Sequence, residues 1–149
     1  MIIESDITLH NSSSLIVGMG RIGTRLGQIL KSLGSVITIA TNIEKEKSLA
    51  DYEGFSTIEY DNLINWVSTF DYIINTAPFP YFNKEIISTI KDETVFIDVA
   101  SYPGAISEKD QKNISFKYFI EKGIPGKIAP KTSAKYLAEE IEKVCALFG

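Results

Sequence analysis

Apolar residues in this chain fall into short continuous runs separated by amphipathic stretches, and that alternation predicts the elements. Leu15, Ile16 and Val17 make a run apolar at every position, as a strand over 15–17 covered on both faces requires. Over 21–33 the period changes. Ile22, Leu26, Ile29, Leu30 and Leu33 recur at i, i+4, i+7, i+8 and i+11, the stripe of an amphipathic helix, and Gly34 is placed to end it. Residues 36–40 return to strand character, β-branched at Val36, Ile37, Thr38 and Ile39. The alternation then repeats. A short helix finishes over 48–54, an edge strand is expected at 57–60, and Asp61 is placed to cap a helix over 62–68 that buries Leu63, Ile64 and Val67. Further strands are expected at 72–75, 94–99 and 117–120, with Asn83 capping an intervening helix whose Ile86, Ile87 and Ile90 face inward. Pro130 suits the first turn of a last helix reaching about Leu147, with Leu137, Ile141, Val144, Cys145 and Phe148 as its apolar face. Residues 1–13 show no clear period and end in a turn-rich run, so they read as a lead-in or linker, with one domain over 14–149.

Between the first strand and the first helix the chain reads Gly18-Met19-Gly20-Arg21-Ile22-Gly23. Glycines at this spacing, in this context, form the dinucleotide-binding fingerprint. Gly18 permits the tight turn, Gly20 lets the backbone approach a pyrophosphate, and Gly23 lets the helix pack closely on the strand. Free backbone N–H groups at the helix start, with the positive end of the helix dipole, would hold the phosphates, so all six residues are assigned to the cofactor. Arg21 is expected to contribute chiefly through its backbone. Strands alternating with helices then imply an α/β protein, a Rossmann-type doubly wound parallel sheet of about six strands with helices on both faces.

Sites for NAD usually place an Asp or Glu at the end of the second strand, ~20 residues beyond the glycines, to bind the ribose 2′-hydroxyl. Here Thr41 and Asn42 follow Ala40, and no acid occurs until Glu44. A carboxylate would repel a 2′-phosphate, so its absence favours NADP, with NAD as the alternative. Thr41 and Asn42 could donate hydrogen bonds to that phosphate, and Lys45 or Lys47 could add charge, although residues 44–47 read equally as a solvated helix start. Pro78 and Pro80 cannot extend the strand that ends at Asn75, so the chain turns there, at the sheet edge where ligands sit. Thr76, Ala77 and Pro78 are assigned to the cofactor wall, and so is Ala100 at the same edge. Ser101 either donates to cofactor or substrate or satisfies a turn. Asp98, inside an apolar strand, reads as a hydrogen-bond anchor in preference to a perturbed charge. Trp66 and the tyrosines read as core or rim.

Composition narrows the classes. A net charge of −4 over 149 residues argues against a general nucleic-acid binder or a membrane-surface protein. The single cysteine, Cys145, excludes an internal disulfide framework and a multi-cysteine metal site, and suits a reducing cytoplasm. No metal site is expected. His10, the one histidine, reads as a surface or linker residue.

Gly123-Ile124-Pro125-Gly126 and Ala129-Pro130-Lys131-Thr132 resemble the signature of the dipicolinate synthase family, in its A-type subunit. The likeness extends through Gly18–Gly23, through Asn75-Thr76-Ala77-Pro78, through Asp98-Val99-Ala100-Ser101-Tyr102-Pro103-Gly104, and upstream through Asp6-Ile7-Thr8-Leu9-His10. The resemblance implies oxidation of a dihydrodipicolinate-type precursor linked to NADP, in the mother cell of a spore former, together with a flavoprotein-like second subunit. It implies a small dicarboxylate substrate, a substrate-side domain upstream, and this chain as the C-terminal nucleotide domain, which alone would turn over poorly or not at all. Lys127 and Lys131 flank the Pro/Gly loop, and the resemblance marks Lys131 as a ligand for a substrate carboxylate. The family carries an Arg where Thr41 stands. No residue is assigned to catalysis, and homo-oligomerisation is left open.

The glycine turn equally resembles the D-2-hydroxyacid dehydrogenases. Their chemistry needs an Arg to clamp a carboxylate and a His–carboxylate pair to move a proton, whereas here Tyr102 stands where the Arg is wanted and His10 precedes the first strand. A third reading is a non-catalytic module that senses NAD(P) state for a partner.

Overall fold

Strands buried on both faces need apolar side chains in both directions, and the central strands have them. The structure is a computed structural model that describes residues 8–121 together with Lys135, Ala138, Glu139, Ile141 and Glu142. Six strands form one sheet among the described residues: β1 (Ser13–Val17), β2 (Val36–Ala40), β3 (Ser56–Ile58), β4 (Tyr72–Asn75), β5 (Val95–Asp98) and β6 (Lys117–Ile120). Their order is β3-β2-β1-β4-β5-β6, and every pairing is parallel. Ile16 stands opposite Ile39 on one side and Ile74 on the other. This is the doubly wound Rossmann arrangement that the sequence pattern predicts.

The pleat sorts the core into two layers. Ile16, Ile39, Ile74 and Ile97 pack with Leu26 and Leu30 of helix α1 (Arg21–Ser32), Ala50 of α2 (Glu44–Glu53), and helical Ala138 and Ile141. Leu15, Val17, Ile73 and Phe96 point the other way, against Leu63 of α3 (Leu63–Trp66) and Ile86 and Ile87 of α4 (Lys84–Ile87). The Asn83 cap forms as expected, its Oδ1 accepting from Ile86 N–H at 2.9 Å. Gly34, with φ of +92°, follows α1 in the left-handed conformation that suits its place after the helix.

Four elements differ from the sequence expectation: β1, β3, β5 and the helix around Leu63. β1 begins at Ser13 rather than Leu15, because its serines are satisfied: Ser13 Oγ donates to Asp71 Oδ2 at 2.9 Å, and Ser14 Oγ lies 2.7 Å from Ser35 Oγ. α2 agrees: it takes in residues 44–47, so that charged run is the helix start that the sequence allows. β3 is shorter and sits one residue earlier than 57–60, and β5 is limited to Val95–Asp98. The helix expected over 62–68 is broken into a 3₁₀ turn (Tyr60–Asn62), the four-residue α3 and a second 3₁₀ turn (Val67–Thr69). Asp61 lies inside the first turn and caps nothing; Thr69 Oγ1 donates to Trp66 O at 2.7 Å, competing with further helix.

Leu9, in the stretch that reads as a lead-in, is buried, and Asn11 N–H donates to Gly34 O at 2.9 Å, so residues 9–12 are tied to the amino edge of the sheet. His10 is exposed beside Gly34, and Trp66, 49% exposed, is a rim residue. Of the expected final helix, Leu137, Val144, Cys145 and Phe148 lie outside the described residues.

Phe96 is fully buried, with ring centroids of Phe82, Tyr118 and Phe116 at 4.8, 5.3 and 5.8 Å. Phe96→Ala is expected to cost about 3–5 kcal/mol, read as a lower urea midpoint at unchanged slope.

Candidate functional site

β1 is flanked by β2 and β4, the point where successive connections leave in opposite directions and open a crevice at the carboxyl edge. The chain leaves β1 through Gly18, whose φ of +86° disfavours any side chain and whose N–H donates to Ala40 O at 2.9 Å. A Cβ on Gly23 would collide with the Gly18 carbonyl oxygen, so that glycine exists for close packing. Gly20 differs: it is the N-cap of α1 in extended conformation, and a Cβ there would meet nothing within 4 Å. Its missing side chain leaves open space beside the helix start. The first intrahelical bond there is Thr24 N–H to Gly20 O, and neither an acidic side chain nor a side-chain cap occupies the first turn. Its N–H groups therefore face outward with the positive end of the dipole, an arrangement suited to an anion. Beside them lies a cleft of about 600 Å³ lined by Met19, Gly20, Arg21, Ile43, Lys45 and Glu46, among others.

Thr76 Oγ1 donates to Val17 O at 2.8 Å and Gly18 O at 3.3 Å, so this residue braces the glycine turn as well as standing at the edge. Ala77 packs under the turn, with Pro78 exposed beyond it. Phe79, 57% exposed, leans on Tyr81, which stacks on Tyr60 at 3.7 Å between centroids. Burial, and after it Tyr81, push the Tyr60 hydroxyl well above its ordinary value.

The end of β2 departs from expectation. Thr41 is fully buried and donates its one hydroxyl proton to Glu46 Oε2 at 2.5 Å while accepting from Ile43 N–H at 3.1 Å. It cannot donate to a ligand phosphate. Asn42 does not share that fate: its Oδ1 accepts from Tyr60 N–H at 2.8 Å, and its NH₂ remains a donor. Lys47 is paired with Glu44 at 2.8 Å and Glu59 at 2.7 Å, and both carboxylates hold its ammonium above the ordinary lysine value. Glu46 is not among the residues that the sequence pattern singles out. The pattern calls for an acid at the strand end, whereas this carboxylate arrives there from the first turn of α2. An acid in the third helical position, pointing back towards the preceding strand, is the signal that could have found it.

At the loop after β5 Asp98 is the anchor. Its Oδ1 accepts from Asn75 Nδ2 at 2.9 Å and Ala100 N–H at 3.1 Å, and its Oδ2 from Ala105 N–H at 2.6 Å and Tyr118 OH at 3.1 Å. Ser101 O closes the turn by accepting from Gly104 N–H at 3.0 Å, which leaves the Ser101 side chain exposed at the edge. Lys127, Lys131 and the rest of the Pro/Gly loop lie outside the described residues.

Three comparisons bear on this arrangement. The profile of the family described as D-isomer specific 2-hydroxyacid dehydrogenase, NAD binding domain, matches residues 4–110. The A-type subunit of dipicolinate synthase from Bacillus subtilis is 28% identical over 143 residues, 96% of this chain, and the chain spans 48% of that relative's length. The crystal structure of dipicolinate synthase from Bacillus subtilis superposes with a TM-score of 0.75 at 28% identity, over 96% of this chain and 48% of that one. Apo D-lactate dehydrogenase of Escherichia coli shares the fold, with a TM-score of 0.67 at 13% identity over 93% of this chain and 52% of that one.

Burial, then the charge of Asp98 and the hydrogen bond to it, raise the Tyr118 hydroxyl above the ordinary tyrosine value of 10.0. The folded chain thus keeps a proton that the unfolded chain loses, so this contribution is intact below about pH 10 and is lost as pH rises further. Urea denaturation of wild type and Tyr118→Phe at pH 8 and pH 11 checks it, with a smaller alkaline loss expected in the variant. Asp98→Asn turns an NH₂ towards two of the four donors and is expected to cost about 1–3 kcal/mol in the same assay.

Proposed function

The chain belongs to the family of D-isomer specific 2-hydroxyacid dehydrogenase NAD binding domains, and we propose that within it this is the nicotinamide-dinucleotide domain of a dipicolinate-synthase-type oxidoreductase. The reaction is oxidation of a dihydrodipicolinate-like precursor to dipicolinate. A bound nicotinamide dinucleotide supplies the hydride acceptor. Residues of this chain hold and orient it: the N–H groups around Gly20, Arg21 and Ile22 take the pyrophosphate, and Thr76, Ala77, Pro78 and Ala100 wall the edge. Ser101, with Lys131, meets a carboxylate of the substrate. The pyrophosphate cradle is indifferent to NAD or NADP.

The observation that carries this reading is the sequence likeness to the Bacillus subtilis relative along nearly the whole chain, against a far lower likeness to a hydroxyacid dehydrogenase of the same fold. The site chemistry agrees. Tyr102, 83% exposed, stands where a hydroxyacid enzyme wants its Arg, and the one histidine lies at the opposite end of β1 from the crevice. The reading brings with it a substrate-side domain, a flavoprotein-like second subunit and a cytoplasmic setting in a spore former. Among the described residues no helix is long and apolar enough to cross a membrane.

Calorimetric titration tests the reading. NAD or NADP should bind, and dipicolinate should give heat only after the dinucleotide is saturating. Dinucleotide binding with no response to dipicolinate would favour a sensing module, and absence of binding at millimolar dinucleotide would overturn the proposal. Gly20→Ala separates site from fold. Its φ of −71° accepts alanine and the Cβ meets no neighbour, so the thermal midpoint should hold. Dinucleotide affinity should fall about tenfold or more, because the methyl group stands where the pyrophosphate must approach.

A further inference from the structure

We infer that Glu46 is the residue that reads the adenosine ribose, and that through it this chain selects NAD over NADP. The inference rests on the dinucleotide reading above and reverses the cofactor preference that the sequence suggests. That preference comes from the lack of an acid beside Thr41 and Asn42. The fold supplies one from another element.

Position comes first. Glu46 Oε2 accepts from Thr41 Oγ1, the residue directly after β2, at 2.5 Å, and from Met19 N–H, inside the glycine turn, at 3.1 Å. A carboxylate touching both lies between the end of the second strand and the pyrophosphate turn, where a doubly wound dinucleotide fold puts its ribose-binding acid. Two neutral donors fix it there, and among the described residues no cation pairs with it: Lys47, one residue on, is engaged by Glu44 and Glu59. Its second oxygen, Oε1, has no donor among the described residues and remains able to accept from a ribose hydroxyl.

Charge is the second consideration. Arg21, Arg25 and Lys45 line the same cleft and would attract a phosphate. Arg21 and Lys45 are exposed, however, and Arg25 is turned to Gln28 Oε1 at 2.7 Å. Exposed cations on long side chains lose freedom when they are held against a phosphate, whereas the half-buried Glu46 carboxylate is already fixed in the cleft by its two hydrogen bonds. The fixed repulsion dominates. Thr41, the hydroxyl that could have offset it, has already given its proton to Glu46.

The test is calorimetry of wild type, Glu46→Gln and Glu46→Ser with NAD and NADP, using ADP and 2′,5′-ADP to isolate the adenosine half. Wild type should bind NAD at least about tenfold more tightly than NADP, the scale of one hydrogen bond to a charged group. Both variants should bind NAD more weakly and NADP more tightly, collapsing that ratio, and the two ADP probes should follow the same order. Glu46→Gln keeps an oxygen for Thr41 and Met19, which protects the fold, and wild-type discrimination tests the inference without any variant. NADP binding as tight as NAD in wild type would overturn it. So would an equal gain for both dinucleotides in the variants, which would make Glu46 a mere competitor for the cleft. Failure of every nucleotide to bind wild type would instead remove the dinucleotide reading itself, and this assignment with it.

Discussion

Helix α1 starts so close to the end of β1 that Gly23 faces the Gly18 carbonyl with no room for a Cβ between them. Thr76 closes the same approach from β4, giving its hydroxyl proton to the Val17 and Gly18 carbonyls. Three strands and a helix thus meet over a few backbone atoms at the switch point of the sheet. Everything chemical about the chain follows from that convergence, because it aims the first turn of α1 into the crevice and leaves the space above Gly20 vacant of side chains.

Much of this is legible in the sequence because strands covered on both faces must be apolar throughout. Leu15, Ile16 and Val17, and Ile73 and Ile74, can belong to no other element, and the helical stripe between the first two strands fixes the wrap of α1. Legibility fails where polar residues find partners far away in the chain. Ser12, Ser14 and Ser35 form a buried hydroxyl cluster where β1 and β2 begin, so the end of a run that looks like turn punctuation, Ser13 and Ser14, is strand. The broken helix around Leu63 fails for the opposite reason: side chain to backbone bonds within one turn outweigh a weak periodic signal.

The site shows the same division. The three glycines announce their roles through spacing alone, since each role is imposed by local backbone geometry. Thr41 and Lys47 escape such reasoning because their fates are decided by Glu46, Glu44 and Glu59, some of them an element away. Asp98 is legible as an anchor, since an acid inside an apolar strand must find donors, but the identity of those donors depends on the pairing of strands. A fold shared at low identity by proteins of differing chemistry names a cofactor class. The side chains at the carboxyl edge have to name the rest.

Asp98 and Asn75 also have a mechanical meaning. Asn75 holds the Ala77 carbonyl and the Asp98 carboxylate with one amide, and Asp98 in turn holds Ala100, Ala105 and Tyr118. The loop after β4 is therefore clamped to Asn75 and the loop after β5 to Asp98, and these two strand-end side chains are bonded to each other with the sheet as backing. Neither loop can swing without breaking its bonds to that linked pair. The two walls of the crevice share one stiff footing, so a closing motion over a ligand falls to parts of the protein that are not tied to Asn75 or Asp98.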